Sequence, residues 1–303
     1  VALAGALVIA IAAILTFPHL PSLEVLTDYR PKIPLRVYSA EVILIGEFGE
    51  ERRAVVKIGQ VPLILKRAIL AAEDERFYQH GGVDYLGVLR AAYSNFAAGG
   101  ARQGASTITM QVARNFFLTK EKTLARKFNE ALLAFKIEHS LTKDEILELY
   151  INQIYLGQRA YGFAAAAQGY FGKALGEISL AEAAMLAGLP KAPSRFNPVV
   201  NLMRAKQRQA YVLRRMLDLG YISEEQYREA EKRQLVVKRE QQDYPVRADY
   251  VAEMVRQVMY ERFQEDTYSR GFKVYTTLFA QHQDAAYRAV RRGVMDYDKR
   301  HGY

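Results

Sequence analysis

The sequence predicts a mainly α-helical protein that begins with a transmembrane helix and ends in a small α+β module. Residues 1–17 are apolar and uncharged, as in a membrane-spanning segment. Residues 61–240 repeat apolar side chains three and four positions apart, which is the period of amphipathic helices. We therefore expect a membrane helix at 1–17, a β-rich connecting segment at 18–60, a helical domain at 61–240 and a linker module at 241–303.

Composition limits the class of protein. The chain has 303 residues, a formal net charge of +9 and no cysteine. Without cysteine there is no disulfide framework and no thiolate metal site, and the five histidines are not spaced as metal ligands. The positive charge indicates an anionic partner, which can be nucleic acid, anionic lipid or a phosphorylated substrate.

The apolar run at 1–17 ends at Pro18 and is slightly shorter than the roughly 20 residues that a spanning helix needs. A cleaved signal peptide is the alternative, but no small-x-small cleavage site follows the run. We expect an uncleaved anchor, with the rest of the span before Val1 and with the residues after Pro18 outside the cytoplasm.

Two segments flanking the helical domain contain strand patterns. Residues 35–39 and 42–48 are predicted strands of the connecting segment. In the linker module we expect a helix at 250–263, a strand at 272–277 and a second helix at 280–297.

Within the helical domain, capping boxes predict helix starts at Thr142, Ser179 and Ser223. Gly188 and Pro190 predict the end of the helix that Ser179 begins. One stretch departs from the helical pattern: residues 97–109, AAGGARQGASTIT, are predicted to form a loop.

Glu73, Phe77 and His80 form the first candidate site. Spaced by four and then three positions, they share one face if the segment is a helix. A carboxylate beside an aromatic ring is partly desolvated, which raises its pKa and makes it a better general base. The alternative is a solvated acidic helix end with Phe77 in the core, and spacing alone favours that alternative.

Three further blocks carry polar side chains. Residues 104–115 combine hydroxyls, a flexible backbone, an amide and a cation, which suits a phosphorylated sugar but also an ordinary capped loop. Arg126 and Lys127 precede Glu130 by four and three positions, as in a cationic clamp for pyrophosphate or in plain surface ion pairs. In residues 143–173, core packing explains most apolar and tyrosine positions but not Asn152 or Lys173.

These four blocks, in this order, resemble the peptidoglycan glycosyltransferase domain of class A penicillin-binding proteins, particularly the 1a subtype. A fifth block, LAEAAMLAGLP at 180–190 followed by Pro193 and Asn197-Pro198, agrees. The resemblance covers about residues 61–240, and the anchor and residues 274–278 also fit. Five ordered blocks are specific, and they reverse the preference for the structural alternatives above.

The resemblance implies a lysozyme-like fold and polymerisation of lipid II into β-1,4-linked glycan strands, with inversion and release of polyprenyl pyrophosphate. Glu73 is then the general base and Glu130 the second essential carboxylate. A divalent cation, usually Mg²⁺, is the implied cofactor, and its ligands are unknown. The implied substrate-contacting residues are Asp74, Phe77, His80, Ser106, Thr107, Gln111, Arg114, Asn115, Arg126, Lys127, Tyr150, Asn152 and Lys173.

The resemblance also implies partners and a compartment. The partners are lipid II, a lipid-linked glycan chain, the lipid bilayer and a cell-wall synthesis complex or lipoprotein activator, and no nucleic acid. The expected location is the bacterial inner membrane, with one span and a periplasmic catalytic domain. Five apolar residues can face the membrane or pack in the core, with equal preference: Leu86, Leu89, Phe96, Phe116 and Phe117.

Three departures from the family pattern qualify these expectations. Met110 stands where many members have Gln, so no essential polar contact is expected there. Phe279 stands where Asp is usual, which leaves a local helix cap in doubt. Ser140 and Lys143 have the spacing of a transpeptidase nucleophile motif, but lie inside the glycosyltransferase blocks without the companion motifs. We interpret that match as chance and expect polymerisation without crosslinking.

Three other functions compete with this interpretation. A lysozyme or lytic transglycosylase shares the general fold and a catalytic Glu, but glycan cleavage needs no pyrophosphate clamp such as Arg126, Lys127 and Glu130. A membrane scaffold with a dead site is disfavoured because both carboxylates are present. Nucleic-acid binding is disfavoured because no recognised motif occurs.

Overall fold

The computed structural model describes residues 11–27, 31–97, 106–118, 123–238 and 244–302. The chain forms two compact units. The first comprises Val1–Arg30 and Val55–Lys238, and the second comprises Pro31–Ala54 and Arg239–Tyr303. The first unit is helical and the second is mixed, which matches the predicted mainly α fold class.

The predicted transmembrane helix falls mostly on residues 1–10, which lie outside the described part of the chain. Residues 11–16 are helical and continue into a 3₁₀ turn at Phe17–His19, followed by the one-turn helix α1 (Glu24–Thr27). Among the described helices, none combines the length and apolar character needed to cross a bilayer. The transmembrane helix therefore stays a prediction.

The described part of the first unit is mostly helical. Its helices after α1 are α2 (Leu63–Glu73), α3 (Tyr85–Ala97), α4 (Ile108–Phe117), α5 (Leu124–Ser140), α6 (Lys143–Gln153), α7 (Phe163–Phe171), α8 (Leu180–Gly188), α9 (Leu202–Asp218) and α10 (Glu224–Lys232). A two-residue strand at Ala160–Tyr161 lies between α6 and α7.

The three predicted capping boxes are confirmed at the starts of α6, α8 and α10. In each, the side chain of Thr142, Ser179 or Ser223 accepts a hydrogen bond from a backbone N–H of the first turn. The side chain three residues later accepts from the backbone N–H of the capping residue. These local bonds satisfy donors that a helix start would otherwise leave unpaired.

Two local predictions are corrected by the structure. Helix α2 ends at Glu73, and Phe77 lies in a separate 3₁₀ turn, Phe77–Gln79, so Glu73, Phe77 and His80 do not share a helix face. The predicted loop at 97–109 is too long, because Ala97 still belongs to α3 and α4 begins at Ile108. Residues 98–105 lie outside the described residues.

The core of the first unit forms around α8. From Ala181 to Gly188 every residue of this helix is buried, and α2 and α9 pack against it. Apart from Glu182, which pairs with Lys173, the helix is apolar on all sides and so belongs in the interior, and its alanines allow close approach of its neighbours. On another side of the unit, α4 packs against α5 and α6. The C-terminal end of α2 and the sides of α4 and α9 supply side chains to one site.

The second unit is a three-stranded sheet covered by helices. Strand β1 (Leu35–Tyr38) pairs antiparallel with β2 (Leu44–Phe48) and parallel with Lys273–Tyr275. The helices are α11 (Asp249–Phe263) and α12 (Ala280–His301), and Arg52–Arg53 is a further two-residue strand. Buried Leu35, Val37 and Ile45 form the core with partly buried side chains of α11. The predicted strands and helices of both flanking segments are thus confirmed.

Two of the three departures from the family pattern have structural counterparts. Met110 is buried against Val83 and Ala134, so it makes an apolar rather than a polar contact. Phe279 provides no side-chain cap to α12. The Glu41 carboxylate supplies that bond instead, since its Oε2 accepts from the Ala280 N–H at 3.0 Å.

Candidate active site

A cavity of about 580 Å³ opens where α2, α4 and α9 converge in the first unit. Its described lining contains several ionisable residues within a mostly polar wall. The acidic members are Glu73, Asp74, Glu75 and Asp84, and the basic members are Arg90, Arg114, Lys191, Arg208 and Arg215. Such a mixture suits a ligand that carries negative charge and undergoes proton transfer.

Glu73 lies at the last residue of α2 with only 11% of its side chain exposed. Its Oε2 accepts a hydrogen bond from Gln111 Nε2 at 2.8 Å, and its Oε1 lies 3.8 Å from Arg208 Nη2. Burial raises the pKa of the Glu73 carboxyl, against the lowering effects of Gln111, Arg208, Lys191 and Arg114. A carboxylate with a raised pKa, held by one hydrogen bond and facing a cavity, is equipped to accept a proton.

The adjacent Asp74 holds the wall of the cavity through hydrogen bonds. Its side chain is almost fully buried and accepts from the backbone N–H of Ile108 at 3.0 Å. His80 Nε2 lies 3.0 and 3.1 Å from the two Asp74 oxygens. Thr107 caps α4 and also donates its hydroxyl to the Gly82 carbonyl at 2.6 Å. Asp74 therefore fixes the first turn of α4, although it also borders the cavity.

A cationic cluster lies beside the cavity on α5. Lys127 Nζ donates to Glu130 Oε2 at 2.7 Å and to Ser106 Oγ at 2.6 Å, and Arg126 Nε is 3.3 Å from Glu130 Oε1. Glu130 is fully buried, whereas Lys127 is substantially exposed. The predicted grouping of these residues on one helix face is confirmed. Two cations against one carboxylate leave a positive charge for an anionic ligand.

The α4 residues of the second block (residues 104–115) lie in two environments. Gln111 and Arg114 both line the cavity. Arg114 forms no ion pair within 4 Å with any residue in the described part of the chain, so its guanidinium is available to a ligand. Asn115, one position later, is exposed and outside the cavity lining.

Four other predicted site residues lie outside the cavity lining. Phe77 is buried with the Lys143 ammonium 4.4 Å from its ring centroid. Asn152 exchanges hydrogen bonds with the backbone of Val56. The other two are Lys173, which donates to Glu182 Oε1 at 2.7 Å, and the fully buried Tyr150. Their observed contacts are internal to the fold.

The apolar residues considered for membrane contact also divide. Leu86, Leu89 and Phe96 project from α3 and are exposed, Phe96 to 88%. Phe116 and Phe117, at the end of α4, are partly buried. Of these five residues, only the three on α3 are exposed.

Sequence analysis missed the contribution of α9 to the site. Arg208 is 8% exposed, and Arg215 bridges to Glu75, which also pairs with Arg90. A signal exists in the sequence, because Arg208 has the same helical phase as the buried Ala205 and Val212. An arginine at a core-facing position requires a buried partner, and that partner is Glu73.

A family model described as "Transglycosylase" matches residues 41–217, which is more than half of the chain. The chain belongs to the transglycosylase family. The matched range of this transglycosylase contains Glu73, Gln111, Arg114, Glu130 and Arg208.

Curated relatives and a solved structure agree with that assignment. Penicillin-binding protein 1A of Neisseria cinerea is 56% identical over 299 residues, covering 99% of this chain and 38% of the relative. Penicillin-binding protein 1A of Escherichia coli K12 is 51% identical, covering 94% of this chain and 34% of the relative. The crystal structure of Haemophilus influenzae penicillin-binding protein 1A has a TM-score of 0.52 at 38% identity, covering 90% of this chain and 31% of that one.

The resemblance to the glycosyltransferase domain of class A penicillin-binding proteins is therefore confirmed. The transglycosylase chain spans well under half of the length of the curated relatives it matches.

Proposed function

We propose that this chain polymerises lipid II into β-1,4-linked glycan strands and releases polyprenyl pyrophosphate. The observation that carries the proposal is the pairing of a buried, hydrogen-bonded carboxylate, Glu73, with cations around the same cavity. A hydroxyl that attacks a sugar carbon needs a base, and a departing diphosphate needs positive charge.

In the proposed reaction the acceptor's GlcNAc 4-hydroxyl oxygen attacks C1 of the donor MurNAc. The new C1–O bond forms as the bond from C1 to the diphosphate oxygen breaks, and the configuration at C1 inverts. Glu73 takes the hydroxyl proton, and the diphosphate leaves with the bonding electron pair. Gln111 holds the Glu73 carboxylate in position through its 2.8 Å hydrogen bond.

The leaving diphosphate is stabilised by the cationic side chains. Arg114 has no ion-pair partner among the described residues, and Lys127 is accessible beside Ser106. Fixed cations that already point toward the developing charge need little reorganisation during the reaction. Glu130, buried between Arg126 and Lys127, keeps both side chains oriented.

Magnesium is proposed as an assisting ion. Among the described residues, no cluster of three or more His, Asp or Glu could hold a metal, but Mg²⁺ usually takes one or two carboxylates together with substrate phosphates. Glu130 is the carboxylate proposed for that role, because its buried Oε1 lies 3.3 Å from Arg126 Nε but forms no hydrogen bond with a described residue. When bound there with diphosphate oxygens, the ion would neutralise part of the leaving-group charge.

We further propose that the enzyme works at the periplasmic face of the bacterial inner membrane, tethered by residues 1–17. The substrate's lipid tail and the exposed Leu86, Leu89 and Phe96 of α3 support this location. A tether to the bilayer that holds the substrate raises the rate of encounter.

The test uses the detergent-solubilised chain with purified lipid II and Mg²⁺, and products are separated on a gel. We expect long strands from the parent and from Glu229→Gln, an exposed carboxylate on α10 that serves as the matched control. Glu73→Gln should give none, moenomycin should abolish synthesis, and EDTA should reduce it. Shortening of added glycan would indicate a lytic enzyme instead, and a folded parent that makes no strands would contradict the proposal.

A further inference from the structure

The Arg208 side chain extends from α9 into the interior of the first unit, and its contacts there fix its position. It donates from Nε to the Gly188 carbonyl at 3.4 Å and stacks on the Tyr211 ring at 4.4 Å. Gly188 is required for this route, since a Cβ at that position would lie 2.7 Å from Arg208 Cγ. A guanidinium held by packing, a carbonyl and a ring has little freedom to point elsewhere.

The Arg208 guanidinium lies close to the Glu73 carboxylate. Arg208 Nη2 is 3.8 Å from Glu73 Oε1, and no other carboxylate in the described chain is within 4 Å of Arg208. A guanidinium keeps its charge at all working pH values. Because burying an uncompensated charge is costly, Arg208 favours the ionised form of its one acidic neighbour.

The other elements around Glu73 also lower its pKa, the Gln111 hydrogen bond more than Arg208 does, and Lys191 and Arg114 less. From α4, Gln111 donates a hydrogen bond and Arg114 adds positive charge; from the segment after α8, Lys191 adds another charge. On α6, burial and then the Glu73 charge raise the pKa of Tyr150. Among these groups, Arg208 is the buried cation with a directed approach to a Glu73 oxygen.

We propose that Arg208 is a positioning residue of the polymerisation reaction, whose guanidinium orients the Glu73 carboxylate and stabilises its anionic form. The inference rests on the proposed function, in which Glu73 is the general base. Opposing effects then set the base: burial raises the pKa of Glu73, whereas the Gln111 hydrogen bond and the nearby charges, Arg208 first among them, lower it. The carboxylate must be ionised to take the hydroxyl proton, and Arg208 favours that form.

The experiment is a pH profile of kcat/KM for lipid II polymerisation. The acid side of the profile reports the ionisation of the base in the free enzyme. Removing the opposing cation in Arg208→Gln should move the acid side to higher pH by on the order of 1 pH unit. Arg208→Lys, which keeps a charge, should move it less. Arg214→Gln, which removes an exposed cation from the same helix, should leave it unchanged.

A second variant protects the test against a folding defect in Arg208→Gln. Tyr211 is 46% exposed, so Tyr211→Ala should fold, and loss of the ring should free Arg208 and give a smaller shift in the same direction. An unshifted acid side in the folded Arg208→Gln, or in Tyr211→Ala where Arg208→Gln does not fold, would overturn the inference. Activity retained by Glu73→Gln would instead overturn the proposed base itself.

Discussion

Replacing Asp74 by alanine should lower the free energy of unfolding rather than weaken substrate binding directly. The Asp74 carboxylate is buried and accepts from the Ile108 N–H at 3.0 Å, and it pairs with the His80 ring at 3.0 Å. Alanine would leave the Ile108 N–H and the His80 ring without this hydrogen-bond partner in the interior. At about 1–3 kcal/mol for each unsatisfied buried group, the expected loss is about 2–6 kcal/mol. In a domain of this size each kcal/mol lowers the Tm by roughly 2–4 °C.

Thermal unfolding followed by far-UV circular dichroism measures this loss. Asp74→Asn should lose less, because its side-chain oxygen can still accept from Ile108. Asp218→Ala should change the Tm little, since its partner Arg214 is exposed and surface ion pairs contribute little. If Asp74→Ala unfolds at the parent Tm while the KM for lipid II rises, Asp74 is a substrate contact and the structural argument is wrong.

Three further changes test other parts of the structure. Gly162→Ala should lower the free energy of unfolding by about 1–3 kcal/mol in urea titration, because φ is +86° there and a Cβ would lie 2.8 Å from the Asn152 carbonyl. Tyr150→Phe should be stable to within about 1 kcal/mol and keep its KM, since the buried hydroxyl has no hydrogen-bond partner among the described residues; a raised KM would make Tyr150 a substrate contact. Glu73→Gln should be more stable than the parent at neutral pH and equal to it in acid. Burial raises the folded pKa above the usual 4.5, so the parent loses stability as pH rises from that value through the folded pKa; equal unfolding midpoints at neutral pH would contradict this.

The elements that the sequence predicted well are those determined by local interactions. The capping boxes at Thr142 and Ser179 close within one helical turn, so four residues are enough to specify them. The Lys127–Glu130 pair also follows from helical spacing alone. The strands at Leu35–Tyr38 and Leu44–Phe48 follow from β-branched composition and their spacing.

The features that escaped prediction depend on contacts between distant segments. Periodicity alone would continue α2 past Glu73, but the helix ends there because Asp74 turns to bind Ile108 and His80. The role of Arg208 requires knowing that α9 packs against α2. An arginine at the core-facing phase of α9 marks Arg208 as unusual in the sequence, but only the packing of α9 against α2 identifies Glu73 as its partner.

The same packing explains why one short motif contains residues with different tasks. Glu73 accepts a hydrogen bond from Gln111 in the cavity, whereas Asp74, which also borders the cavity, holds the first turn of α4 through Ile108. Gln111, which orients Glu73, lies on α4 three residues after Ile108. A change at Asp74 therefore displaces the partner of Glu73 without touching substrate. Lost activity in an Asp74 variant should appear as a lower kcat with a lower Tm, and this combination separates support of the base from contact with lipid II.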